Sequence, residues 1–342
     1  MAPTASYDDP PPVRTGLSFH DANIALLARE SYFFVHQGVL MRHSKVLADA
    51  ISDLGLCGPS TVLKGNPLLK LDDDPTELHW FLLALYDGIS TLNYNCADFP
   101  VVSALLRLST KYEVDRIRGD LIQGLAQIWP KFLSQWEARE ANATNTDGSY
   151  LPRQCYPHPI QVINLAQSTN TLALLPAAFY DLCRYPPSEA VAGLIASPSS
   201  EPEYLTDEDL MRLLRGKEHA SRFLSTFIVN HLEGREPSLH CIYRRDNSPA
   251  RRRHCQAAFE AMTFEILRNL NGVICHRTLD PLAAILDIDL TQLRTNTTVQ
   301  PTSGYCVCDR CRLAYEEVVE QAREELWRKL PVWFDIDIHC WD

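Results

Sequence analysis

The chain has 342 residues, of which 46% are hydrophobic and 22% are charged, and its net charge at pH 7 is −11. This composition predicts a globular protein of about two domains, each long enough to bury its own core without disulfides. The acidic balance argues against binding to a nucleic-acid backbone, and no apolar run approaches the roughly 18 residues that a membrane helix needs.

The N-terminal sequence MAPTASYDDPPPVR has no apolar segment after a basic start, so it does not form a secretory signal. We therefore expect a cytoplasmic or nuclear protein, whose eleven cysteines stay reduced or bind metal. Residues 1–16 combine four prolines with small polar residues, which predicts a disordered tail.

An apolar hairpin follows the tail. Residues 23–28 are predicted to form a strand that turns and pairs with residues 32–35. Apolar residues then recur at helical spacing, and Ser44 is placed to cap a break between two short helices. Residues 68–71 predict one more short strand.

Later helices are marked by their N-terminal chemistry. Asp74-Pro75-Thr76-Glu77 combines an N-cap aspartate, a first-turn proline and a glutamate that reaches back to the cap. Asp98-Phe99-Pro100 predicts a second start, and Thr206-Asp207-Glu208-Asp209 is a capping box for a helix in the second half of the chain.

The second half of the chain shows only helical periodicity. Residues 138–159 are polar and contain prolines, which predicts a linker between two domains. Helical stripes of apolar residues continue through 160–335, and a short tail at 336–342 ends the chain.

The start of the chain resembles a BTB/POZ domain, in which an aspartate precedes the first strand and a Phe-x-x-His-x-x-x-Leu-x-x-x-Ser spacing closes the hairpin. The matching residues here are Asp21, Phe33, His36, Leu40 and Ser44. Further segments are similar to blocks of a BTB-protein family that is abundant in mushroom-forming fungi: residues 78–88, 99–102, 105–108, 111–112, 174–178, 213–216 and 327–331.

This resemblance implies an α+β fold with a BTB/POZ domain at residues 17–137, in which helices cap a short mixed sheet. An all-α C-terminal domain with a zinc knuckle would follow the linker and occupy residues 160–335. Long-form BTB domains dimerise partly through a helix before the first strand, where this chain carries prolines instead. The sequence therefore leaves monomer and dimer open.

Cysteine spacing points to a metal site near the C-terminus. Cys306-x-Cys308-x-x-Cys311 directly precedes a predicted helix, which is the arrangement of a zinc knuckle. A Cys-x-x-Cys pair supplies only half of a tetrahedral site. Upstream candidates for the other half are Cys241, Cys255 and the adjacent Cys275-His276.

The resemblance selects among these candidates, because the fungal relatives carry a cysteine pair before the terminal helices and a Cys-x-x-Cys near the end. It implies a zinc ion held by Cys241, Cys255, Cys308 and Cys311, with Cys306 or His276 as substitutes. Such a zinc would be structural, since four protein ligands leave no open position for catalysis.

Two other motifs carry less weight. Asp287-Ile288-Asp289-Leu290-Thr291 spells the nucleophile motif of haloacid-dehalogenase-type phosphatases, but only 51 residues follow it, too few for the sheet domain that this chemistry needs. The motif is interpreted as a coincidence. The arginine-rich segment 244–253 predicts a solvated loop, with a nuclear-import signal or a contact to an acidic partner as alternatives.

BTB domains are protein–protein interaction modules, so the resemblance implies a non-enzymatic protein that binds a protein partner or a second copy of itself. No catalytic motif is assembled in the sequence. A substrate adaptor for a cullin-type ubiquitin ligase is one alternative, since helices near 115–137 often complete that contact in BTB proteins. A transcriptional regulator is the other, although the acidic chain has no tandem Cys₂His₂ fingers.

Overall fold

The computed structural model describes residues 17–56, 62–145, 150–195, 201–270, 280–286, 307–338 and 341. They form a mixed structure with one small sheet and many helices, so the α+β class is confirmed at this level. The chain divides into two compact units. The first unit comprises Met1–Ile128, Asn145–Pro157 and Ser168–Thr171, and the second comprises Trp129–Thr144, His158–Gln167 and Leu172–Asp342.

The described helices follow one another in chain order and are labelled accordingly. They are α1 (Gln37–His43), α2 (Lys45–Leu56), α3 (Pro75–Asp87), α4 (Phe99–Lys111), α5 (Asp115–Ile128), α6 (Leu133–Asn142), α7 (Pro152–Cys155), α8 (Pro159–Ser168), α9 (Leu175–Cys183), α10 (Pro187–Ala192), α11 (Asp207–Phe227), α12 (Pro249–Arg252), α13 (His254–Leu270), α14 (281–286) and α15 (Asp309–Trp333). None of these described helices is both long and apolar enough to cross a lipid bilayer.

The sheet of the first unit has four strands in the order β2-β1-β4-β3. They are β1 (Ile24–Ala28), β2 (Ser31–Val35), β3 (Val62–Leu63) and β4 (Asn66–Leu71). β1 pairs antiparallel with β2 and parallel with β4, so that Leu26 lies opposite both Phe33 and Leu69. The predicted hairpin and the predicted strand at 68–71 are confirmed, whereas the two-residue strand β3 was too short for its sequence to reveal.

β1 lies at the centre of the sheet. Its residues Ile24, Ala25, Leu26 and Ala28 have no exposed surface, and Ala25 packs with residues of both neighbouring strands. A strand covered on both faces needs no polar alternation, which explains the continuous apolar sequence IALLA.

Ser44 separates α1 from α2, as predicted. Its hydroxyl accepts a 3.0 Å hydrogen bond from the N–H of Leu47 and donates a 2.6 Å bond to the carbonyl of Tyr112. Because the side chain is buried, this one hydroxyl both caps α2 and fixes the cap to the end of α4.

The predicted helix starts at Asp74 and Thr206 are confirmed. The Asp74 carboxylate accepts from the N–H groups of Thr76 and Glu77, and the Thr206 hydroxyl accepts from the N–H of Asp209. The role predicted for Glu77 is wrong, because its carboxylate binds Arg107 of α4 at 2.5 Å instead of reaching back to the cap. A tertiary ion pair has replaced the second half of a local capping box.

In the second unit α11 packs against α9 and α15, and α15 also packs against α9. The packing of α11 on the end of α15 depends on Gly216 in α11. A Cβ atom at this position would lie 1.9 Å from the ring of the fully buried Phe334, which follows α15. α11 then passes directly into a π-helical turn, Ile228–Leu232.

Near the end of α15, a tryptophan side chain supplies the hydrogen bond that a proline cannot donate. Pro331 has no N–H, so the carbonyl of Trp327, four residues earlier, lacks its usual helical donor. The indole N–H of Trp341 donates to that carbonyl at 2.9 Å. Trp341 falls in the predicted tail 336–342, yet it is tied to the helix.

The first segment of the first unit ends at Ile128, whereas the BTB/POZ domain was predicted to extend to residue 137. α6 belongs to the second unit, where Trp136 packs against Tyr180 and Trp327. Within the described part of the predicted linker, 138–159, lie the end of α6 and the whole of α7. The predicted disordered tail at 1–16 lies outside the described residues.

Candidate metal centre

The structure brings together the four cysteines that the sequence analysis selected. The Sγ atoms of Cys241, Cys255, Cys308 and Cys311 all lie within 4.8 Å of one another, and all four residues are buried. The two substitutes, Cys306 and His276, lie outside the described residues.

Each cysteine is positioned by local structure. Cys241 closes a turn, in which its N–H donates to the carbonyl of Ser238 at 2.9 Å. Cys255 is the second residue of α13, Cys308 is the N-cap of α15, and Cys311 lies in the first turn of α15. Three of the four sulphurs therefore lie at helix N-termini, where the positive end of the helix dipole favours a thiolate.

Backbone N–H groups support negative charge on the sulphurs. The N–H of Cys308 donates to the Sγ of Cys255 at 3.3 Å. Burial acts to raise the pKa of the Cys308 thiol, but hydrogen bonds from the backbone of Ile242 and Cys311 and from neighbouring thiols outweigh it and lower the pKa to about 7. Burial dominates at Cys255 and Cys311, whose pKa values are raised.

The sulphur–sulphur distances can be compared with a zinc–thiolate site. Zinc binds thiolates at about 2.3 Å, and the edge of a regular tetrahedron is about 1.6 times its centre-to-corner distance, which gives about 3.8 Å between sulphurs. The observed separations are 3.7 Å from Cys241 to Cys255 and 3.9 Å from Cys241 to Cys308. A disulfide would require about 2.05 Å. The four side chains therefore fit one tetrahedral ion better than paired disulfides.

The sulphurs lie in the apolar core that α11, its π-helical turn, α13 and α15 share. Beside them, Arg235 donates to the carbonyls of His231 and Ala314 and lies over the rings of Phe259 and Tyr315. This half-buried guanidinium ties the end of the π-helical turn to α15. No residue type in the local sequence indicates that role, because Ala314 is 79 residues away.

In the first unit, Asp21 and His36, two of the residues that carry the BTB resemblance, are in contact. The Nε2 of His36 lies 3.1 Å from the carboxylate of Asp21, and its Nδ1 lies 3.0 Å from the hydroxyl of Tyr86. The hydrogen bond from His36 lowers the pKa of Asp21. His36 is thus a partnered turn residue, and it fixes the start of α1 to the segment before β1 and to α3.

A buried ion-pair network in the second unit was missed by the sequence analysis. Arg139 of α6 binds Asp181 of α9 at 2.8 Å, and both side chains are 1% exposed. Arg184 also binds Asp181, together with Glu140 and Asp280. These partners are up to 96 residues apart, so no local spacing indicates the network.

Two sequence motifs remain outside this site. The Asp287–Thr291 motif lies outside the described residues. The five arginines of segment 244–253 are exposed, as predicted for a solvated loop, and the segment lies between the two cysteines Cys241 and Cys255.

The chain was compared with protein-family models, with curated proteins and with solved structures, and none of them matches it. The candidate metal centre therefore rests on its own geometry.

Proposed function

We propose that this chain is a non-enzymatic protein-interaction protein. Its first unit, similar to a BTB/POZ domain, binds a protein partner, and its helical second unit is held together by one structural zinc ion. The zinc part of the proposal is carried by the convergence of Cys241, Cys255, Cys308 and Cys311, whose sulphurs lie within 4.8 Å of one another, and the interaction part by the order of elements in the first unit.

The first unit supports the interaction role through its order of elements. A hairpin, a helix pair, a strand parallel to the first strand and a set of helices follow one another, which is the order expected from the resemblance. The side chains of Asp21 and His36 lie 3.1 Å apart, and Ser44 fixes the helix pair. On that pair, Met41 and Val46 expose 39% and 37% of their surface, and the proposal places the partner contact there.

The zinc would be held by all four cysteines and would supply folding energy rather than chemistry. All four ligands come from the protein and the site lies in an apolar core, so substrate has no access to the metal. Cys241 lies 67 residues before Cys308, and one ion would therefore fasten the turn at Cys241 and the start of α13 to the start of α15.

The interaction role is tested with the purified full-length chain. Light scattering measures self-association, and affinity capture measures binding to a purified cullin and to proteins of a cell extract. We expect a stoichiometric protein partner that a Met41→Asp/Val46→Asp variant loses. A control variant, Val191→Asp, changes a residue of the second unit that is 54% exposed and should retain the partner.

Two results would contradict the proposal. One is steady turnover of a small-molecule substrate, for example a generic phosphomonoester, by the purified chain. The other is a chain that stays monomeric and captures no protein at concentrations up to about 100 µM. Interaction modules usually have dissociation constants below this concentration. If the chain binds the purified cullin in the affinity capture, its interaction role is that of a ubiquitin-ligase adaptor.

A further inference from the structure

A strongly basic loop projects from the cysteine cluster. We define the basic loop as residues 239–253, which carry five arginines and one aspartate and therefore a formal charge of +4. Since the whole chain carries −11, the other residues carry −15. All five arginines are exposed: Arg244, Arg245, Arg251, Arg252 and Arg253.

The charges of the basic loop are largely unmatched within the described part of the chain. Arg251 lies 3.7 Å from the carboxylate of Asp246, and among the described residues the other four arginines form no ion pair. Two apolar side chains accompany them, because Leu239 and Ile242 expose 77% and 65% of their surface. A surface that combines free guanidinium groups with exposed apolar side chains is suited to a protein partner.

The basic loop is fixed at its base. Cys241 and Cys255 are buried in the cysteine cluster, and α12 lies between them. A loop held at both ends loses less entropy on binding than a free segment of the same length. The arginines are thus presented from a rigid base.

A complementary surface exists in the same unit. On α15, Leu313, Glu317, Glu320 and Glu324 are spaced by four, three and four residues, which places them on one face of the helix. All four are exposed, and within the described residues the three glutamates form no ion pair. We define these four residues as the acidic stripe. Two neighbouring glutamates do form ion pairs: Glu316 binds Arg312, and Glu325 binds Lys329.

We infer that a second copy of this chain docks its acidic stripe on the basic loop, so that two copies form a symmetric dimer. The inference goes beyond the proposed function, because it adds a self-association surface in the second unit to the partner-binding surface of the first unit. A two-fold arrangement needs both surfaces on each copy, and the structure supplies both near one end of α15. At 1.5 Å per residue, Glu317 lies about 9 Å and Glu324 about 20 Å along the helix from Cys311. Antiparallel α15 helices would therefore place each basic loop over the partner copy's stripe.

The observations favour a second copy over a polyanion. Nucleic acid or an acidic lipid surface would offer negative charge to the basic loop but no partner for the acidic stripe, whereas a second copy offers the opposite charge to both surfaces. The fork of the arginine guanidinium binds a carboxylate with two hydrogen bonds, as it also binds a phosphate, so the glutamates of the stripe are suitable partners for the arginines. The exposed Leu313 of the stripe adds an apolar contact for Leu239 or Ile242.

The dimer should be weak and sensitive to salt. Exposed ion pairs contribute little individually, and salt screens them over about 10 Å at 0.1 M. We expect micromolar dissociation constants at low salt and a weakening of roughly tenfold or more between about 50 mM and about 500 mM salt.

Analytical ultracentrifugation of the full-length chain tests the inference with a charge exchange. Arg244→Glu/Arg245→Glu and Glu317→Arg/Glu320→Arg should each be monomeric at concentrations where the wild type is a dimer. An equimolar mixture of the two variants should form a heterodimer, because each altered surface then meets its opposite on the other chain. The heterodimer excludes misfolding as the cause of the losses.

The control variant Arg42→Glu/Arg116→Glu makes the same charge change at exposed positions of the first unit and should remain dimeric. A wild type that is monomeric at roughly 200 µM and low salt overturns the inference. A dimer that persists in both charge-reversal variants also overturns the inference. This result would leave the proposed protein-binding function intact, because the interface would lie elsewhere. Binding of RNA or of phosphatidylserine vesicles by a monomeric wild type would assign the loop to polyanions and likewise overturn it.

Discussion

The Sγ of Cys308 lies 3.9 Å from the Sγ of Cys241, although 67 residues separate them in the sequence. This separation is close to the sulphur–sulphur edge of a zinc–thiolate tetrahedron and far longer than a disulfide. The remaining two sulphurs, of Cys255 and Cys311, lie within 4.8 Å of both. A helical unit whose core contains four converging thiols is therefore expected to depend on a metal for part of its stability.

Removing one thiol should destabilise the second unit. The variant Cys308→Ser takes away a ligand, and we expect its unfolding free energy to fall by about 3 kcal/mol or more because the metal is bound by the folded state. Chemical denaturation with and without a zinc chelator measures the effect. The chelator should destabilise the wild type and leave the variant nearly unchanged.

The control for this experiment is Cys155→Ser, which alters a half-buried cysteine of the first unit that lies apart from the cluster. It should change stability by less than about 1 kcal/mol and keep the full response to the chelator. Equal stability of Cys308→Ser and the wild type under these conditions would contradict the structural role of the cluster.

Ser44→Ala should destabilise the first unit by about 1–2 kcal/mol. The substitution leaves the N–H of Leu47 and the carbonyl of Tyr112 without their buried partner. Ser52→Ala on the same helix is the matched control, since the hydroxyl of Ser52 is exposed and donates only to the carbonyl of Ala48. Urea denaturation should separate the two variants, and equal stabilities would show that the Ser44 hydroxyl contributes nothing.

Gly216→Ala should destabilise the second unit by about 1–3 kcal/mol, because the new Cβ would overlap the ring of Phe334. Gly119→Ala is the control in the first unit, where a helical Cβ meets nothing within 4 Å and should be neutral or stabilising. Adding Phe334→Leu to Gly216→Ala should recover part of the loss relative to Phe334→Leu alone. Thermal unfolding measures all four variants, and a harmless Gly216→Ala would contradict the packing of α11 on the end of α15.

The Asp21 carboxylate should report on its bond to His36. That hydrogen bond lowers the pKa of Asp21, so the pair is intact above the ordinary pKa of an aspartate and is lost as the pH falls through the lowered value. In a His36→Gln variant the pKa of Asp21 should rise towards its ordinary value. Carbon-detected NMR titration measures the change, with His43→Gln as the control. An unchanged titration in His36→Gln would show that the two side chains do not interact.

Local chemistry allowed much of the fold to be predicted. The caps at Asp74 and Thr206, the break at Ser44 and the apolar hairpin depend on neighbouring residues, and their sequence signals were sufficient. Glu77 shows the limit, because its choice of Arg107 over the helix cap depends on a residue 30 positions away. The unit boundary at Ile128 also depends on distant residues. Trp136 joins the second unit by packing against Tyr180, which is far from it in the sequence.

The candidate site shows the same limit. Spacing identified Cys308 and Cys311 as half of a metal site, but Cys241 and Cys255 were selected by resemblance to a family and by no local pattern. The network around Arg139 and Asp181 had no signal at all, because buried ion pairs between helices depend on tertiary packing. Distances between sulphurs or charges follow from the fold and cannot be read from the order of residues.

X-ray absorption spectroscopy at the zinc edge, combined with elemental analysis of the purified full-length chain, tests the central claim most directly. We expect one zinc per chain with four sulphur neighbours at about 2.3 Å. A chain that is fully folded, free of metal and reactive at all four thiols would contradict the claim. A zinc surrounded mainly by nitrogen or oxygen would also contradict the ligand set Cys241, Cys255, Cys308 and Cys311.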